Sequence, residues 1–175
     1  VFPAQKSRKS NKNGKFMPHP SDSTIQTTIE QKIYRWFLTN NDNLLSNKNH
    51  LEIDGQKIEP DINCFNAKGQ LIVGEIFVRT KTAKAGQKKK IAADILKLIS
   101  FKQFNNTGYE VILVLLLERD LHSKFTKSNS WLNKVCFLWG VQLKHYELTA
   151  IELKDLELIN DRQAEGNRVT KTTSM

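Results

Sequence analysis

The chain has 175 residues, enough for one domain with tails. Its 27 Lys and Arg against 18 Asp and Glu leave a net charge of +9, which favours polyanionic partners, nucleic acid first and an anionic membrane surface second. No apolar run reaches the length of about 18 residues that a membrane span needs, no hydrophobic N-terminal segment reads as a secretory signal, and Cys64 and Cys136 form neither a zinc pattern nor a disulfide framework. A membrane span and a cysteine-rich secreted scaffold are excluded, and a reducing cytoplasm is the expected setting.

Residues 1–23 read as a basic flexible tail. Lys6, Arg8, Lys9, Lys12 and Lys15 stand against Asp22 alone, and few large apolar residues offset the entropy of ordering. The spacing of Ile25, Ile29, Ile33, Trp36 and Phe37 predicts a helix from Ser23 or Thr24 to the Asn40–Asn43 cluster. Three strands follow. Leu51–Ile53 meets the hairpin signal Asp54-Gly55, Lys57–Phe65 carries a bend or bulge at Pro60, and Leu71–Arg79 is apolar enough to be buried on both faces.

A basic loop, Thr80–Gly86, leads to a helix over Gln87–Gln103 with Ile91, Ala92, Ile95, Leu98 and Ile99 as its core stripe. Tyr109–Leu117 reads as a buried strand parallel to the third. Ser128 or Ser130 caps a helix carrying Trp131, Leu132, Val135, Cys136 and Leu138, which Gly140 stops. Val141–Leu148 forms a last strand and Ile151–Ile159 a short helix. The reading is one α/β domain over 24–159, a mixed sheet flanked by helices in the order α-β-β-β-α-β-α-β, with a polar tail over 160–175.

Glu75 carries the most information. Every neighbour in Leu71–Val78 is apolar or Gly, and an unpaired carboxylate buried there costs several kcal/mol. Such a group binds a cation, does acid–base work, or sits in a structural ion pair with a Lys or Arg. Alternation along the strands puts Glu59 and Asp61 on one face and Val73, Glu75 and Phe77 on one face, so a hairpin can bring Asp61 beside Glu75. A hard divalent cation relieves the repulsion between two such carboxylates, and oxygen ligation with open positions suits Mg²⁺ or Mn²⁺.

Pro60-Asp61, thirteen intervening residues and then Glu75-Ile76-Phe77 resemble the acidic positions of the PD-(D/E)XK nuclease superfamily, and the element order over residues 24–148 is similar to its restriction-endonuclease-like core. The resemblance implies a metal-dependent endonuclease that hydrolyses phosphodiester bonds, of double-stranded DNA first. Asp61, Glu75 and the Ile76 carbonyl would hold Mg²⁺ or Mn²⁺. It also implies a homodimer as one arrangement; the expectation of no membrane partner comes from the absence of a long apolar run. The chain departs from the pattern at Phe77, where the superfamily places a lysine. Members of the superfamily move that lysine to the following helix, and Gln87, Lys90, Asp94 and Lys97 fall on one side of it. Lys90 is the first candidate, with Gln87 in support and Lys97 second. Glu30, on the first helix, is a further candidate because many members carry a helix Glu near the metal.

Arg79, Lys81, Lys84, Lys88 and Lys89 form a basic run suited to backbone phosphates. Trp36, Trp131 and Trp139 read as packing residues. His19, His50, His122 and His145 show no metal-ligand spacing, and no Walker loop or dinucleotide fingerprint is present. Two alternatives stand beside the nuclease: a catalytically inactive nucleic-acid-binding module on the same fold, motivated by Phe77, and an assembly protein with Glu75 in a buried ion pair.

Overall fold

A computed structural model describes residues 24–78, 85–154 and 156. The predicted tails, 1–23 and 160–175, lie outside these residues. Helix α1 spans Thr24–Thr39, and its Ile29, Ile33 and Phe37, four residues apart, are all buried. After β1 (Leu45–Ser46), β2 (Leu51–Ile53) and β3 (Gln56–Ile58) form a hairpin. Asp54 and Gly55 take φ values of 47° and 75°, the paired left-handed conformation of a two-residue hairpin turn.

The expected strand Lys57–Phe65 is two strands in two sheets. Pro60 has no N–H for a ladder, so the chain leaves the hairpin after Ile58 and joins the main sheet at β4 (Ile62–Phe65). Strand β5 (Leu71–Phe77) is followed by α2 (Ala85–Phe104), β6 (Val111–Glu118), α3 (Arg119–Lys127), α4 (Trp131–Leu138) and β7 (Val141–Tyr146). The main sheet has the order β1-β4-β5-β6-β7. Its β1/β4 and β4/β5 pairs are antiparallel; β5/β6 is parallel, as the helical crossover predicts, and β6/β7 is parallel too. Every residue of β5 is buried.

The two faces of the sheet hold separate cores. Ile62, Cys64, Ile72, Ile76, Val114 and Leu116 pack with α1. Leu71, Val73, Phe77, Leu113, Leu115 and Leu117 pack with Ile91, Ile95, Leu98 and Phe101 of α2, and with α3 and α4. This mixed sheet with helices on both faces is consistent with a restriction-endonuclease-like fold.

Gly74 lets the central strands approach, because a Cβ there would lie 2.6 Å from the Val114 carbonyl oxygen. Gly74→Ala is therefore expected to destabilise the fold by about 1–3 kcal/mol, as overpacking against backbone does. A denaturant melt checks this, and a variant as stable as the parent would show that β5 and β6 can part at no cost.

Helix α3 is not among the predicted elements. Glu118 caps it, its side chain accepting from the N–H groups of Asp120 and Leu121, and Leu121 and Phe125 are its buried side. Ser130 caps α4, whose buried residues are Leu132 and Cys136. The tryptophans differ from expectation. Trp36 packs edge-on against Tyr146, but Trp131 is 66% exposed, and Leu138 and Trp139 are also exposed. An eight-residue helix has room for one buried side, and Leu132 and Cys136 occupy it. The chain is helical again over 150–154. Among the described residues, no helix is long and apolar enough to cross a membrane.

Candidate functional site

The register of β4 on β5 brings the two acids together. Ile62 pairs with Gly74, and one step beyond the strand end Asp61 comes beside the stretch Glu75-Ile76. Ile62 and Cys64 face α1, so alternation turns Asp61 to the other face, which Glu75 shares with Val73 and Phe77. The Ile76 N–H donates to Asp61 Oδ2 at 2.9 Å. The break at Pro60 thus ends the backbone ladder early, and the Asp61 carboxylate takes the place of the next carbonyl. The Ile76 side chain is buried in the α1-side core.

Glu75 is 4% exposed. Lys97, from the middle of α2, places its Nζ 2.5 Å from Glu75 Oε1. The contact is an ion pair, and among the described residues Oε1 meets no N–H or O–H donor besides this ammonium. Burial pushes the Glu75 carboxyl up to about 8; Lys97 pulls it down, while the charges of Asp61 and Asp94 push it further up. Asp94 is also raised, chiefly by burial, with Lys90 and Lys97 opposing. Five ionisable groups, from β5, α2 and the residue just before β4, therefore share one field.

Glu152, also buried, shows what a satisfied carboxylate looks like in this fold. Thr149 donates to its Oε2 through both N–H and Oγ1 at 2.9 Å, its own N–H returns a bond to Thr149 Oγ1, and the Tyr146 hydroxyl adds another. This is a capping box that opens the helix at 150–154. Glu75 has no such set, and Lys97 is the charged partner that meets it.

The other candidates fall in several places. Lys90 is exposed, its Nζ 5.8 Å from the centre of the Phe77 ring, and it acts electrostatically on Asp94. Gln87 is half-buried near the start of α2. Glu30 is half-buried on α1, the helix that packs on the other face of the sheet from Glu75. Lys88 and Lys89 are exposed on α2. Arg79, Lys81 and Lys84 lie outside the described residues.

Asp61 is among the residues that line a cleft of about 250 Å³, with Asn47, Asn49, His50, Pro60 and Asn63. Asn63 holds the cleft wall in place. Its Nδ2 donates to the Asn49 carbonyl, its Oδ1 accepts from Asn47 Nδ2, and its own carbonyl accepts from the Tyr34 hydroxyl at 2.7 Å. The sequence does not single out Asn63, because one Asn in a strand carries no distinguishing spacing. Both cysteine thiols are buried and pushed up, Cys64 to about 12 and Cys136 to about 11, so neither is a nucleophile near neutral pH.

Among the described residues, no three His, Cys, Asp or Glu side chains gather as a metal site. Mg²⁺ does not require three, since one or two carboxylates with water and substrate phosphate complete its shell. The hard oxygens of Asp61 and Glu75, whose buried Oε1 already draws one cation in the Lys97 ammonium, fit such an ion.

The ion pair makes a stability prediction. A carboxyl raised in the folded state, from 4.5 to about 8, contributes stability that is complete below its unfolded value and lost as pH rises to about 8. In metal-free buffer at pH 8, Glu75→Gln is therefore expected to be more stable than the parent, by on the order of a few kcal/mol. The Lys97 side chain is one-third exposed, so its amine has water within reach when the carboxylate is gone. Thermal melts at pH 5 and pH 8 measure this. A variant markedly less stable at both would identify the Glu75–Lys97 pair as structural.

The fold is similar to that of an XisH family protein from Nostoc punctiforme PCC 73102, with a TM-score of 0.51 and 10% sequence identity over 68% of this chain and 91% of that one. At that identity the likeness concerns the fold alone. No protein-family model and no curated protein matches the sequence.

Proposed function

We propose that this protein is a metal-dependent nuclease of the PD-(D/E)XK type, acting on DNA as an endonuclease. The observation that carries the reading is the buried Glu75, sharing a sheet face with Asp61 and met by the amine of Lys97 from α2. Asp61 and Glu75, with the Ile76 carbonyl, would hold Mg²⁺ or Mn²⁺. Held there, such an ion would supply a water of lowered pKa and positive charge opposite a scissile phosphate.

The chain's own groups supply the rest. Asp61, tied to the Ile76 N–H, holds its second oxygen at a fixed place beside β5. Lys97 supplies the positive charge that the superfamily's motif provides from the position of Phe77, aimed at the same carboxylate from the neighbouring helix. Its ammonium can orient the attacking water or stabilise the developing oxyanion. Lys88 and Lys89 stand on the same helix for phosphate contact.

The test is cleavage of supercoiled and linear DNA with Mg²⁺, Mn²⁺ or EDTA, with binding measured in parallel. Metal-dependent nicking or linearisation supports the reading. Salt-sensitive binding with no cleavage in any metal would favour the inactive binding module, which the Phe77 departure and the engaged Lys97 amine motivate.

A further inference from the structure

A groove lies away from the Asp61–Glu75 pair, between the N-terminal turns of α2 and helices α3 and α4. Its volume is about 490 Å³. Ile91, Ala92, Leu121, Phe125 and Leu132 line it with apolar surface, and Lys88, Lys89 and Lys124 stand around it, with no acidic residue among its lining. Trp131 stands at this groove with two-thirds of its surface exposed. Packing does not account for an indole left so open on a helix whose buried side is Leu132 and Cys136. The two lining hydroxyls, Ser128 and Ser130, are already hydrogen-bonded within the loop, so no buried polar group there calls for a small polar ligand.

We propose that this groove binds an unpaired segment of nucleic acid, with a base stacked on Trp131 and the adjoining phosphates on Lys88, Lys89 and Lys124. An aromatic face among cations is the arrangement that holds single strands without reading sequence. The charge selects a polyanion, and the open indole selects one with a free π-face. A base in an intact duplex has both faces covered by its neighbours, so Trp131 contributes only where pairing is interrupted. Lys88 also stands about 13 Å along α2 from Lys97, at 1.5 Å per residue. The inference deepens the nuclease reading, and rests on it for one consequence: the substrate would carry a single-stranded stretch, such as a flap, bubble or junction arm.

The experiment uses the full chain in EDTA, which separates binding from cleavage. A fluorescent oligothymidylate and a duplex of equal length are titrated by anisotropy over a series of salt concentrations. Trp131→Ala is expected to weaken the single strand roughly tenfold or more, Trp131→Phe to retain most of the affinity, and the duplex to respond little to either. The double variant Lys88→Gln, Lys89→Gln is expected to lower the salt slope for the single strand by roughly 1.4. Melting curves control for folding, and an exposed indole can be removed without loss of core.

Unchanged single-strand affinity in a folded Trp131→Ala protein would overturn the proposal. So would Trp131-dependent binding of a Glu-rich amphipathic helical peptide in place of the oligonucleotide. A protein that binds oligothymidylate through Trp131 but never cuts DNA with Mg²⁺ would overturn the nuclease reading and leave the groove assigned. One that cuts duplex DNA and is indifferent to Trp131 would do the reverse.

Discussion

Alanine at Glu75 or at Asp61 is expected to lower Mg²⁺-dependent cleavage of supercoiled DNA by about a thousandfold or more. Each substitution removes an anionic oxygen from the cation's shell, and charge stabilisation by a metal at phosphorus is worth several kcal/mol. Asp61 also accepts the Ile76 N–H, so its alanine variant could lose activity through a loosened strand end. Asp61→Asn separates the two roles. The amide oxygen still accepts that hydrogen bond, while the charge is gone. We expect Asp61→Asn to melt like the parent and to be about as inactive as Asp61→Ala. Cleavage rates set beside melting curves check this, and an Asp61→Asn protein with parental activity would remove the carboxylate from the chemistry.

The second large effect concerns the lysine. Lys97→Ala is expected to reduce cleavage by about a hundredfold to a thousandfold, the range for losing one preorganised donor to a developing oxyanion. Lys90→Ala is expected to stay within a few-fold of the parent. The difference lies in placement. The Lys97 amine meets the Glu75 carboxylate, whereas the Lys90 amine is exposed and nearest the Phe77 ring. Lys97→Met serves as a companion variant, since it keeps an unbranched apolar stem without the charge. Single-turnover rates at saturating Mg²⁺ give the comparison. A Lys90 variant that loses activity while the Lys97 variant keeps it would return the role to the first turns of α2.

The acidic pair is legible in the sequence because strand alternation has a fixed period of two. Placing Asp61 and Glu75 on one face needs only the turn at Asn66–Gly69 and the register it imposes, and a carboxylate in the middle of β5 stands out against apolar neighbours. The lysine is not legible to the same degree. Lys90 and Lys97 are two helical turns apart on the same side of α2, so phase cannot separate them. Which one lies level with Glu75 depends on how far the helix slides along the sheet, and that is decided by Ile91, Ile95, Leu98 and Phe101 in the core.

Other differences have similarly local causes. Pro60 suggests a bulge within one strand, whereas its missing N–H divides the stretch between two sheets. Helix α3 has no turn signal ahead of it, since it follows β6 directly and is capped by Glu118, the last residue of that strand. Its Leu121 and Phe125, four apart, are the available signal. Trp131 reads as core because aromatic residues at helical spacing usually are, but α4 is short enough to bury only one side.

The account depends on Glu75 and Asp61 being a cation site and not the acidic half of a structural ion pair. The direct measurement is the melting temperature at pH 8 with and without Mn²⁺, for the parent and for Glu75→Gln. At a cation concentration of about a hundred times Kd, the parent should rise by roughly 5–10 °C, since binding to the folded state adds about 2.7 kcal/mol. The variant should start higher without metal and gain little from it. Equal shifts in both proteins, or no shift in the parent, would contradict the assignment.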